Sequence, residues 1–298
     1  MLRFLLQSIF FSVLLTVLTL YLLLHYLHLT SAGTRNNLEG TAEQTINLHE
    51  QDMVLHFINL KIGKTTMIQI GERAILIDAG HEQDSDELRD YLQKHGITQV
   101  SDILLSNPGV ENTGGIKSLL KHHPAAKIYV PALTKDQYTL DPSIILLTLR
   151  AGDRLVLSEE KKIDLEVLSP LRPLYSDHAN NSMVNLLRYQ DLRVLLTNDI
   201  REDAETRLIE QHPLLRAHIM TVPDRPSGVQ NSQKLIERLN PQTAVMLEMP
   251  CTECKEAAQK AAREYAHEWS DFFFVPIGEN ILISFHDGMY VTPKEQTK

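Results

Sequence analysis

The chain has 298 residues, 43% hydrophobic and 22% charged, the balance of a globular protein with room for one large domain or two small ones. Its 38 acidic against 29 basic residues give a net charge of −9. No dense Lys/Arg block is present to neutralise phosphates, so tight binding of nucleic acid has no support.

No Asp, Glu, Lys or Arg lies between Arg3 and Arg35. The 21 residues from Phe4 to Leu24 make about 31 Å of helix at roughly 1.5 Å per residue, enough for a hydrocarbon core of about 30 Å. An uncleaved transmembrane anchor over residues 1–32 is therefore expected. A cleaved signal peptide is the competing reading, because Thr30 and Ala32 form a passable cleavage site, but its apolar core is normally about 7 to 15 residues and this one is longer. A buried soluble helix is the third. Arg3 precedes the segment, whereas Arg35 beyond it is offset by Glu39 and Glu43, which places the N-terminus in the cytoplasm and the rest outside. Residues 33–52, polar and without apolar periodicity, read as a linker.

From Met53 onward short β-branched runs alternate with polar helical stretches. Strands are expected at Val54–Ile58, Met67–Ile70 and Ala74–Ile77, and a helix from Ser85 to His95 ended by Gly96. Strand Ile103–Leu105, helix Gly115–Lys121 and strand Lys127–Val130 follow. After a variable stretch, strands recur at Arg154–Leu157, Asp164–Leu168, Met183–Tyr189 and Leu192–Thr197. The last quarter reads as strand His218–Val222, helix Ser232–Leu239, strand Ala244–Leu247, helix Thr252–Trp269 and strands near Phe272 and Ile281. Strand-rich halves each carrying helices predict an α/β protein in which two sheets pack together with helices outside.

Seven runs in this order carry a resemblance: LHFINLKIGKTTMIQIGERAILIDAG, DILLSNPGVENTGGIKSLLK, AGDRLVL, LEVLSP, NNSMVNLLRY, RVLLTND and TVPDRPS. Together they resemble the metallo-β-lactamase domain at the C-terminal end of ComEC-type competence proteins. The resemblance covers residues 53 to about 292. It implies an αββα four-layer sandwich over residues 53–293, with 294–298 as a tail, a two-metal site at one edge, and hydrolysis of a phosphodiester or related bond.

A zinc hydrolase holds its ions with imidazole, thiolate or carboxylate and keeps one position open for a water. Where the family has HxHxDH, this sequence has Asn107 and Gly109 for the first two histidines, Glu111 for the aspartate and Asn112 for the last histidine. The VPHHGS segment appears as Val222 to Ser227, with Asp224 and Arg225 in place of both histidines. FIDVGQGD appears as Phe57 to Lys64, with both acidic residues gone. LLTGD keeps its carboxylate as Asp199, and Asn198 replaces the glycine. Loss of an outer partner alone costs roughly 10- to 100-fold in affinity or activity, so loss of the imidazoles themselves abolishes the original site. No resident metal is expected, and Asn107, Gly109, Glu111, Asn112, Asp199 and Asp224 form a vestigial site.

Three readings stay open. The first is a membrane-anchored pseudoenzyme that binds or scaffolds envelope proteins. The second is a metal-dependent hydrolase in which Glu111, Asp199 and Asp224 converge on a hard divalent cation such as Mg²⁺ or Ca²⁺. The third is a thiol-disulfide protein using Cys251 and Cys254, whose CxxC precedes a helix, as in redox sites, although a plain disulfide is the simpler account. The histidines show no metal-type spacing. His122 and His123 end a helix, where imidazole suits the dipole, and His81 and His178 flank segments expected near the old site.

Overall fold

The computed structural model describes residues 51–223, 231–249 and 254–293. The expected anchor 1–32, nearly all of the linker 33–52 and the tail 294–298 lie outside the described residues. No helix among the described residues is long and apolar enough to cross a membrane.

In chain order the elements are β1 (Met53–Asn59), β2 (Lys64–Ile70), β3 (Arg73–Ile77), α1 (Ser85–Lys94), β4 (Gln99–Leu104), the one-turn α2 (Val110–Thr113), α3 (Ile116–His122), β5 (Lys127–Pro131) and β6 (Leu146–Leu149). The chain then continues through β7 (Arg154–Ser158), β8 (Ile163–Ser169), β9 (Val184–Tyr189), β10 (Leu192–Leu196), α4 (Glu202–Gln211), β11 (Ile219–Val222), α5 (Gln233–Leu239), β12 (Thr243–Leu247), α6 (Cys254–His267), β13 (Asp271–Val275), β14 (Asn280–His286) and β15 (Met289–Val291). One sheet has eight strands in the order β15-β14-β1-β2-β3-β4-β5-β6, and the other has seven in the order β13-β12-β11-β10-β9-β8-β7.

Alternation along each strand decides which side chains meet between the sheets, because successive Cβ atoms point to opposite faces. On β3, Ile75 and Ile77 face the inter-sheet core, while Ala74 and Leu76 face the helices. On β10, Val194 and Leu196 join the same inter-sheet core and Leu195 points outward. Outside the first sheet, Leu88 and Leu92 of α1 and Ile116 and Leu119 of α3 close one apolar layer. Outside the second, Ala204 and Leu208 of α4, Leu235 and Ile236 of α5 and Ala261 and Tyr265 of α6 close the other. The result is the helix, sheet, sheet, helix order expected from the sequence.

Four elements escaped the sequence reading, the one-turn α2 among them. Helix α4 presents only Ala204, Leu208 and Ile209 as buried apolar positions, and its fourth buried side chain is Glu205, so its apolar stripe is too narrow to read. Glu205 accepts hydrogen bonds from Asn231 Nδ2 and the Ser232 amide, both at 2.8 Å, and so ties α4 to the start of α5. Strand β6 is largely exposed and β15 is only three residues long. Asp52, read as the last linker residue, is already bonded into the domain: it accepts from the Tyr189 hydroxyl at 2.6 Å and pairs with Lys161.

Candidate functional site

The candidate residues gather at the C-terminal ends of strands that run parallel within their sheets: Asp78 after β3, Ser106 and Asn107 after β4, and Asn198 and Asp199 after β10. Such strand ends are where α/β sheets place ligands. The two sheets are joined there by the Met183 amide donating to the Ser106 carbonyl at 2.8 Å. Asp78 and Asn198 both adopt positive φ, 66° and 50°. Asn and Asp tolerate that left-handed conformation better than other non-glycine residues, which is how Asn198 stands where the resemblance has glycine.

Asn107 is the hub. Its Nδ2 donates to Asp199 Oδ2 at 2.7 Å, and its Oδ1 accepts from Asn112 Nδ2 at 2.7 Å and from the Gly109 amide at 2.9 Å. The other Asp199 oxygen, Oδ1, lies 3.3 Å from Lys64 Nζ at the start of β2. Three of the candidate positions, Asn107, Asn112 and Asp199, are thus brought into one hydrogen-bonded chain. A lysine cation at a fourth position, where the resemblance has an acid, completes it. Glu111 does not join them: it is exposed, and its carboxylate lies against Gly109, where an added Cβ would come within 2.2 Å of Glu111 Oε1.

Beneath this network Asp78 is buried and accepts from the Ser106 amide and hydroxyl, both at 2.7 Å. Burial pushes its pKa up to about 7, with the Asp199 charge adding to the rise and the Ser106 bonds and Lys64 opposing it. The loops around the site approach at backbone distance. A Cβ on Gly63 would sit 2.5 Å from the His81 amide nitrogen and 2.6 Å from the Glu111 carbonyl, and one on Gly115 would sit 2.1 Å from the Ala79 carbonyl. Only glycine fits such contacts.

These residues do not fit the metal pair of a zinc hydrolase. The network spends its amides on each other and on Asp199, Gly109 offers no side chain, and Lys64 places a positive charge against the retained carboxylate. Asn112 Oδ1, buried without a partner, is one amide oxygen and not a ligand set. The cavity beside Lys64, Asp78, Asn198 and Thr221 has a volume of about 40 Å³. That space suits a water molecule or two and falls far below the roughly 300–1,000 Å³ of small-molecule sites.

Asp224 and its VPDRPS neighbours beyond Pro223 lie outside the described residues, as do Cys251 and the side chain of Cys254. His81 borders the site through its backbone, and its Nδ1 accepts from the Gln83 amide at 3.2 Å. His178 bonds Gln137, and His122 bonds the Ser118 carbonyl at 3.0 Å within its own helix. Among the described residues, the one group of three potential metal donors within 4.8 Å of one another is Asp52, His286 and Asp287. No spacing signal in the sequence announces that trio, because it joins the N-terminal side of β1 to the β14–β15 turn. Lys161 already pairs with its Asp52.

Residues 59–246 match the Metallo-beta-lactamase superfamily. The chain belongs to that superfamily. ComE operon protein 3 of Bacillus subtilis (strain 168) is 24% identical over 164 residues, which cover 52% of this chain and 21% of that protein. The chain thus spans about a fifth of the length of that relative. Among solved structures, the metallo-beta-lactamase fold protein YhfI from Bacillus subtilis superposes with a TM-score of 0.55 at 11% identity, over 78% of this chain and 100% of that one. CmlA, a diiron beta-hydroxylase from Streptomyces venezuelae, superposes with a TM-score of 0.53 at 9% identity, over 82% of this chain and 54% of that one. These likenesses establish a superfamily fold and a relationship to the ComEC-like domain read from the seven motifs.

Proposed function

We infer that this superfamily member is a membrane-anchored, extracytoplasmic protein that keeps the sandwich and has given up metal-dependent hydrolysis for binding or scaffolding within the cell envelope. One observation carries the reading: Lys64, Asn107 and Asn112 engage one another or Asp199 where the family's ligands would hold metal. A bound cation at Asp199 would have to displace an ammonium and an amide that already hold both carboxylate oxygens. The small cavity beside Lys64 and Asp78 speaks against a small-molecule substrate at that position. The anchor rests on the 21-residue run from Phe4 to Leu24, which is largely apolar and holds no charged side chain.

The test is a phosphodiesterase assay on the full chain with a chromogenic phosphodiester, supplemented in turn with Zn²⁺, Mn²⁺ and Fe²⁺. The reading expects no turnover above buffer. Metal-stimulated turnover that disappears in Asp199→Ala would refute it.

A further inference from the structure

The edge of the domain opposite the candidate site carries exposed apolar side chains. Trp269 is 95% exposed, Leu214 90%, Met289 66% and Val291 64%. Leu214 and Trp269 precede β11 and β13 of the second sheet, whereas Met289 and Val291 flank Tyr290 on β15 at the edge of the first, and hydrogen bonds join these segments. The Asp271 amide donates to the Gln242 carbonyl at 2.9 Å, and Tyr290, between Met289 and Val291, donates to Gln242 Oε1 at 2.9 Å. The Gln242 amide in turn donates to the His218 carbonyl at 2.8 Å, beyond Leu214. Arg238 reaches the Pro213 carbonyl and Arg216 donates to the Leu215 carbonyl at 2.8 Å, so two guanidinium groups border Leu214.

Trp269 is exposed at a cost to the fold. It follows α6 with φ of +62°, and the Ser270 amide donates back to the Tyr265 carbonyl at 3.0 Å. That is the left-handed position after a helix where glycine is usual. A bulky residue held there without burial suggests a role outside packing.

The described chain also enters at this edge. β1 starts at Met53 beside Phe285, and Asp52 accepts from the Asp287 amide at 3.3 Å, next to the hairpin that carries Met289. Residues 25–50 separate this point from the apolar segment and span at most about 90 Å when fully extended. On the anchor reading, a link no longer than that would keep the domain at high effective concentration over the membrane, so a modest apolar patch would suffice for contact.

Resting on the anchor reading above, we propose that this edge lies on the bilayer surface. Trp269 and Leu214 enter the headgroup and upper acyl region, Arg216 and Arg238 meet headgroup phosphates, and the Asn107–Asp199 cleft is turned away from the membrane toward a partner. Tryptophan prefers the membrane interface because its ring is apolar and its N–H still reaches polar groups. Arginine keeps its guanidinium at headgroup level while its stem covers apolar surface.

Trp269 is the only tryptophan in the chain, so its fluorescence reports this edge alone. The experiment reconstitutes the full chain in phosphatidylcholine–phosphatidylglycerol vesicles, with and without acyl-brominated lipid, beside a flotation assay. The expected result is co-flotation with blue-shifted emission that brominated lipid quenches by about half. Moving the tryptophan with Trp269→Gly plus Leu214→Trp should preserve the quenching. Trp269→Gly plus Val110→Trp, on the site edge, should abolish it. Co-flotation with a water-exposed, unquenched Trp269 overturns the membrane-facing edge and leaves the anchor standing. Failure to float overturns the anchor and this inference with it. Shielding that appears in detergent and rises with protein concentration assigns the edge to a second copy and also overturns the proposal.

Discussion

Lys64 Nζ lies 3.3 Å from Asp199 Oδ1, on a carboxylate whose other oxygen accepts from Asn107 Nδ2 at 2.7 Å. A side chain from β2 thereby brings a positive charge to this carboxylate. Both partners are partly exposed, so solvent screens the pair and its contribution to stability is modest. Lys64→Met should cost about 0.5–1 kcal/mol in chemical denaturation. Because Lys64 lowers the Asp78 pKa, the same variant should also move the Asp78 titration to higher pH. An unmoved titration would mean that the ammonium does not face the site.

Asp78 makes stability fall as pH rises. Its folded pKa, about 7, lies above the ordinary carboxylate value of 3.8, so the folded state holds its proton more tightly than the unfolded chain. The contribution is complete below pH 3.8 and is lost as pH climbs through about 7. Its size is on the order of a few kcal/mol. Asp78→Asn tolerates the same positive φ and should flatten the melting-temperature profile between pH 4 and 7. A variant with the wild-type profile would assign the slope elsewhere.

His56 acts in the opposite sense. It is buried between the Tyr91 hydroxyl and Gln69 Oε1, each 2.9 Å away. Gln69 Nε2 donates to the Gly71 and His95 carbonyls, so its Oε1 must accept from the imidazole, and Nε2 of His56 carries the proton. Burial, helped by the His95 charge and opposed by the Gln69 bond, pushes its pKa down to about 3 from an ordinary 6.5. That stabilisation is complete above pH 6.5 and drains away as pH falls toward 3. His56→Gln should therefore lose less stability than the wild type between pH 6.5 and 4. Steeper acid loss in the variant would contradict the assignment.

Glu205 joins two helices by accepting from an amide side chain and a backbone amide. Truncating it leaves Asn231 Nδ2 and the Ser232 amide without their acceptor in a buried setting. Glu205→Ala should cost about 2–4 kcal/mol, and Glu205→Gln less, because the amide oxygen still accepts one of the two bonds. Equal losses in equilibrium unfolding would show that shape, not hydrogen bonding, sets the cost.

Strands such as β3 and β10 were legible because one apolar face meets the other sheet and the other meets helices, which leaves a β-branched run between turn residues. Helix α4 was not, because Glu205 holds a buried position that apolar periodicity expects to find filled by a hydrophobe. At the site, Asn107, Asn112 and Asp199 could be singled out from the motif order, and the structure bonds them to one another. Lys64 could not: it lies 135 residues from Asp199 and looks like any solvated lysine at a strand start. The Asp52, His286 and Asp287 trio was invisible for the same reason, since only strand pairing brings the two ends of the domain together.

The most direct test of the central claim is the transition-metal content of the full chain, purified in detergent without chelator and then titrated with Zn²⁺ in a calorimeter. The account predicts far less than one metal ion per chain and no binding heat that Asp199→Ala removes. Two tightly held ions per chain, lost in Asp199→Ala, would contradict it.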